Sequence, residues 1–162
     1  MINAYDLYRR LADKPLGKRA FSVFYAQAAP YFRTVRPRIV DVRPHRAEVT
    51  IRKRRAVQNH IGTVHAIAVC NGLEAAMGLL CEATTPADSR WLPKGMDVAY
   101  LAKSTTDLTC IAETDPADWA IGTGEVPVRV RAVRADGVTV VEGVIRVHLS
   151  EKPAKASATA RS

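Results

Sequence analysis

The sequence predicts an α+β fold in which an antiparallel sheet curls around one long central helix. Three observations predict it. Residues 64–83 are apolar nearly all the way round a helical wheel, which marks a helix wrapped by its own domain. Two alternating segments precede that helix, and a longer run of them follows it. The clearest pair closes the chain, with Asp136-Gly137 between two valine-rich segments as a hairpin turn. Helices on one side of an antiparallel sheet are the economical way to cover such elements.

Each element has its own signal. Residues 4–12 carry Tyr5, Tyr8, Leu11 and Ala12 at helical spacing and stop at Pro15. A second helix is expected over 17–29, with Phe21, Phe24, Tyr25 and Ala28 on one stripe facing the core, ended by Pro30. Strands follow over 38–43 and 47–53, turning near Pro44-His45. Beyond the central helix, 84–89 reads as loop, and 94–103 as a strand alternating Met96, Val98 and Tyr100. After a turn at 104–107 comes a strand over 108–114, then a connection over 115–124 with one helical turn at Trp119. Val126, Val128 and Val130 alternate with arginines, and 138–149 returns. With one face of the sheet covered, Arg129, Arg131 and Arg134 are expected on the other face or at an interface.

The chain has 162 residues, 48% hydrophobic and 25% charged, enough for a single globular domain over 1–150 whose first 30 residues are N-terminal helices. Residues 151–162 are poor in apolar side chains and are expected to form a disordered tail. The longest apolar run, 67–70, is too short to span a bilayer, and charges at Asp6, Arg9 and Arg10 interrupt any secretory leader. A cytoplasmic protein with no membrane partner is the expectation. Three cysteines without CxxC or zinc spacing read as buried free thiols. A net charge of +8 suits a nucleic acid, an anionic small ligand or solubility alone. The basic run Arg52-Lys53-Arg54-Arg55 has no interleaved aromatics, so a nucleic-acid partner is not expected.

The chemistry concentrates in Asn59-His60-Ile61-Gly62-Thr63-Val64-His65 and the helix it enters. Gly62 permits a tight turn, and Thr63 or His65 can satisfy the first helical turn. The unpaired N–H groups there can stabilise an oxyanion. Asn71 and Glu74, three apart, share one face of the helix. A carboxylate on so apolar a helix must be paired, neutralised or turned into a cleft, where it can serve as a general base. Its structural alternative is a bond to Asn71 or to a strand arginine. Asn59 adds a neutral group able to orient a carbonyl or a water. Carbonyl polariser plus carboxylate means acyl transfer, hydrolysis, or proton abstraction beside a carbonyl. His45, His60 and His148 form no recognisable ligand set, so no metal and no cofactor are expected.

Asn59-x-x-Gly62-x-x-His65, with Glu74 nine residues on, resembles the Asn-x-x-Gly-x-x-His-Gly-Gly motif and helix acid of hotdog-fold thioesterases of the phenylacetyl-CoA type. Lys94 to Leu101 resembles the family's next strand, the segments at Leu108, Val126 and Val138 complete its usual order, and the likeness covers about residues 30–150. The N-terminal helices resemble a branch of the superfamily made up mainly of proteins named as thioesterases or domains of unknown function. The resemblance implies a homodimer or tetramer that hydrolyses an acyl-CoA or acyl-carrier-protein thioester, coenzyme A entering only as part of the substrate. Glu74 would be general base or nucleophile, Asn59 would position water or carbonyl, the Ala66 N–H would polarise the thioester oxygen, and His65 would support the loop. Gly62, Thr63 and Asn71 would border the substrate, and Leu73 and Met77 with the Met96 strand would line an acyl tunnel. Independently of the resemblance, the basic run 52–55 reads either as a solvated strand end or, through Arg54 and Arg55, as a contact for the phosphates of coenzyme A. Ala66 and Ile67 stand where the motif has Gly-Gly. The rival reading is a non-catalytic acyl-CoA or acyl-chain binding hotdog protein, since one fold serves both roles.

Overall fold

The structure, a computed structural model, describes residues 4–153. Helices α1 (Ala4–Leu11) and α2 (Gly17–Ala28) open the chain, and a 3-10 turn at Pro30–Thr34 leads into strands β1 (Arg38–Arg43) and β2 (Arg46–Ile51). Helix α3 (Ala66–Thr84) follows, then β3 (Ser89–Tyr100), β4 (Leu108–Glu113), β5 (Gly124–Arg134) and β6 (Thr139–Glu151). The six strands make one antiparallel sheet in the order β1-β2-β4-β5-β6-β3. This is the expected sheet curled around a central helix.

Apolarity on all sides of α3 comes from its position. Val69, Leu73, Met77 and Leu80 are buried in the cluster that also takes Val49, Ile51, Leu108 and Ile145 from the sheet. Each such side chain contributes about 2 kcal/mol on removal from water. Gly72 sets the distance of closest approach, since a Cβ there would stand 2.8 Å from Cys110 Sγ and 3.2 Å from Ile51. By length and composition α3 could cross a bilayer, yet most of it is buried inside the fold.

The N-terminal helices close the β1 edge. Ser22 Oγ accepts the Ile39 N–H at 2.9 Å, and Lys18 Nζ donates to the Val40 carbonyl at 2.7 Å. Tyr25 fixes α2 on the central helix by donating to the Ala75 carbonyl at 3.2 Å. The opposite edge, β3, carries the exposed Tyr100 and half-buried Met96 and Val98, and among the described residues no strand pairs with it on its outer side.

Several details differ from the sequence reading. Helix α3 starts at Ala66 because Val64 is bridged to Gln58 and gives its N–H to the Ser104 carbonyl, which holds it extended. Strand β3 begins five residues before 94 and contains Pro93, whose missing N–H a terminal strand tolerates. Phe24 and Ala28 are exposed, because the buried face of α2 runs through Phe21, Ser22, Tyr25 and Ala26. Arg129 and Arg131 emerge from the sheet to pair with Asp115 and Glu113, and Arg134 pairs with Asp136 at the hairpin turn. Of the tail expected over 151–162, Glu151 closes β6 and the Lys152 N–H donates to Asp88, while 154–162 lie outside the described residues.

Candidate functional site

The loop between β2 and α3 is closed by its own side chains. Asn59 Oδ1 accepts from the N–H groups of Ile61 at 3.2 Å and Thr63 at 3.1 Å, and its Nδ2 donates to Thr63 Oγ1 at 2.8 Å. Gly62 turns the chain at φ +77°, a left-handed value that strains residues with a Cβ. Thr63 is buried under this turn. The His65 N–H donates to the Val57 carbonyl at 2.8 Å, which pins the end of the loop to the segment after β2.

His65 is the N-cap of α3. Its Nδ1 accepts the Ile67 N–H at 3.1 Å, and the residue is exposed. Among the described residues no acceptor meets the Ala66 N–H, one of the orphan donors of a helix start.

Asn71, less than two turns on, is buried. Its Nδ2 donates to Thr34 Oγ1 at 2.9 Å and points to the Tyr31 carbonyl at 3.4 Å. Among the described residues its buried Oδ1 has no hydrogen-bond partner, an acceptor awaiting a donor. It lines a cleft of about 210 Å³ with Tyr31, Thr34, Gln58, His65 and Ile67.

Glu74 lies one turn beyond Asn71, half-buried on a helix whose neighbouring residues are buried. Among the described residues it makes no hydrogen bond or ion pair, neither to Asn71 nor to a strand arginine. Its charge is felt at Tyr25, whose hydroxyl is pushed above its usual range chiefly by burial, with Glu82, Cys81 and Glu74 adding to the effect.

The structure thus gathers His65 and Asn71 on one cleft, next to the loop that Asn59, Gly62 and Thr63 build. Leu73 and Met77 stand apart, at 0% and 1% exposure. They fill the core instead of lining an open tunnel, because the sheet closes over that face of α3. The Arg54 guanidinium donates to the Thr34 carbonyl behind the cleft and its Nε has no partner among the described residues, whereas Arg55 is exposed in the turn after β2. Sequence reasoning missed Thr34, Tyr31 and Gln58. Only the Asn71 side chain, polar on an apolar helix, signalled that something must reach it. Among the described residues no cluster of three His, Cys, Asp or Glu is placed to hold a metal ion.

Residues 17–149 match the model of a family described as a domain of unknown function, DUF4442. The chain belongs to that family. A crystal structure from a genomics programme, whose name states no activity, is 42% identical, with 92% of this chain and 98% of the other covered at a TM-score of 0.81. A Pseudomonas aeruginosa protein of unknown function, named a probable thioesterase, is 17% identical over 80% of this chain and 92% of its own, at a TM-score of 0.72. The E. coli PaaI protein of the phenylacetic acid degradation operon is 15% identical over 81% of this chain and 97% of its own, at a TM-score of 0.63. The fold of this family member is therefore the hotdog fold, shared with proteins named as thioesterases. No curated protein matches the chain.

Proposed function

We propose that the chain is a cytoplasmic thioester hydrolase acting on acyl-coenzyme A or acyl-carrier-protein thioesters, with Glu74 as general base or nucleophile. The observation that carries the reading is Glu74 itself, a half-buried carboxylate without a partner among the described residues, on the same helix that presents an Ala66 N–H no described acceptor meets. As a base, Glu74 takes a proton from water while the water oxygen attacks the thioester carbon. The Ala66 N–H holds the oxyanion, the C–S bond breaks, and the proton passes to the departing sulfur. The three free cysteines accord with a reducing compartment.

Helix geometry places a condition on this chemistry. Ala66 and Glu74 are separated by about 12 Å of helical rise, so both cannot touch one carbonyl within one chain. A homodimer formed along the open edge of β3 solves the problem. Its two-fold axis would run the two α3 helices antiparallel, bringing the Glu74 of one copy opposite the Ala66 and Asn59 loop of the other. The same contact would cover Ile67 and Tyr100, each 56% exposed, and enclose an apolar slot beside Met96 and Val98 for the acyl group.

One observation favours the rival, a non-catalytic acyl-CoA or acyl-chain binding protein. The Asn59 carboxamide is already committed to its own loop through three hydrogen bonds. Thiol release from acyl-CoAs of graded length separates the two. Turnover that depends on acyl length supports the hydrolase, and length-dependent binding without turnover supports the rival.

A further inference from the structure

Charge is unevenly distributed along this chain. Residues 14–40 contain six Lys or Arg and no Asp or Glu, and residues 49–73 contain four Lys or Arg and again no acid. The fold brings the two segments together. Lys18 and Arg19 from α2, Arg33 from the 3-10 turn, and Arg36 and Arg38 at the start of β1 line a groove of about 900 Å³. None of these five is ion-paired among the described residues, whereas Arg46, Arg129, Arg131 and Arg134 each have a carboxylate.

Arg54 adds a sixth cation, and a fifth guanidinium, from the second segment. It reaches Thr34, which lines both the groove and the Asn71 cleft, so the two cavities meet at one residue. Arg54 Nε is buried and has no partner among the described residues. Its pKa is lowered, first by burial and then by the neighbouring charge of Arg36. Arg36 in turn is held at φ +53°, a left-handed conformation that a residue with a Cβ pays to adopt. Cations without carboxylate partners crowded around a groove repel one another, and a polyanion relieves that repulsion.

We propose that this groove holds the phosphorylated nucleotide end of a coenzyme A thioester, and that the chain thereby selects coenzyme A over carrier-protein thioesters. The inference rests on the thioesterase reading and gives it a substrate class. A 3′-phosphate and a pyrophosphate bring about four negative charges, enough to engage several guanidinium groups. A carrier-protein prosthetic arm brings a single phosphodiester. The groove also has the volume of small-molecule sites, about 300–1,000 Å³, where a carrier protein would need a broad contact face. Val23, Ala26 and Pro37 supply apolar wall against which a base can lie.

Calorimetric titration of the full chain tests this with coenzyme A, 3′-dephospho-coenzyme A and pantetheine. Coenzyme A should bind about 10-fold tighter than the dephospho form and at least 100-fold tighter than pantetheine. Arg36→Gly removes a cation while easing the left-handed strain, so the variant should remain folded. It and Arg38→Gln should each weaken coenzyme A by about 10-fold and shrink the preference for the 3′-phosphate, while Arg129→Gln, outside the groove, should bind as wild type. Equal binding of coenzyme A and pantetheine, wild-type affinity in both groove variants, or no binding of coenzyme A would overturn the inference. Phosphate-dependent binding without hydrolysis of any thioester upholds the groove and removes the thioesterase reading instead.

Discussion

The Asn59 carboxamide and the Thr63 hydroxyl are bonded to each other at 2.8 Å inside the turn that delivers His65 to the start of α3. With two backbone N–H groups also bound to Oδ1, Asn59 is the internal brace of its loop. Asn59→Ala should therefore cost about 2 kcal/mol in urea unfolding, because it leaves partly buried donors unsatisfied. Asn59→Asp keeps both acceptor bonds and should cost under about 1 kcal/mol. A full loss of turnover in the stable Asp variant would assign Asn59 a role toward substrate as well.

Gly143 sits where β6 passes β3, and a Cβ there would lie 2.0 Å from the Asp97 carbonyl oxygen. Gly143→Ala should force the two strands apart and destabilise by about 3 kcal/mol or more. Chemical denaturation reads the loss. Gly62→Ala makes the contrast, since nothing lies within 4 Å of its Cβ position and only the φ of +77° opposes it. There the cost should be about 1 kcal/mol.

The cysteines differ in access. Cys81 and Cys110 are buried, and burial pushes both thiols up, Cys110 to about 12. Cys70 is half-exposed beside the Tyr100 hydroxyl at 3.5 Å. In the dissociated single chain a thiol reagent such as Ellman's should label Cys70 alone, and all three cysteines after denaturation.

Those raised thiols also set an alkaline limit. A group whose folded pKa lies above its unfolded one contributes stability that is complete below the unfolded value. For Cys110 that contribution is lost as pH rises from 9.0 through about 12. Each pH unit in that window removes about 1.4 kcal/mol per thiol. Urea midpoints should fall steadily above about pH 9, and Cys110→Ala should flatten the fall.

The proposed dimer places Ile67 of α3 against a second copy. Ile67 is exposed in the single chain, so Ile67→Asp should leave the fold intact, and an acid in the first turn suits the helix dipole. Light scattering should show the variant dissociating at a concentration at least 10-fold above that of the wild type. An unchanged oligomer would move the interface elsewhere.

Much of this architecture was legible in the sequence because burial writes a period. The all-round apolarity of α3, the alternation of β5 and the Asp136-Gly137 turn all lie where the pattern put them. The start of β3 was hidden by Pro93, which reads as a breaker unless the strand is known to be terminal. The site was legible only as a spacing. That Asn71 would be held by Thr34 and Tyr31, 37 and 40 residues away, has no local signal, because the contact exists only once α3 and the turn before β1 are packed. Leu73 and Met77 misled for a related reason, since apolar positions on a core helix look alike whether they border a tunnel or fill the core.

The most direct test of Glu74 is thiol release from a panel of short, medium, long and aryl acyl-CoAs, comparing the wild type with Glu74→Gln at matched stability. The account predicts turnover on at least one substrate and a fall of 100-fold or more, on the order expected for a lost general base, in a variant that still folds and still binds. A Gln variant as active as the wild type, or a wild type that binds acyl-CoA and releases no thiol, would contradict it.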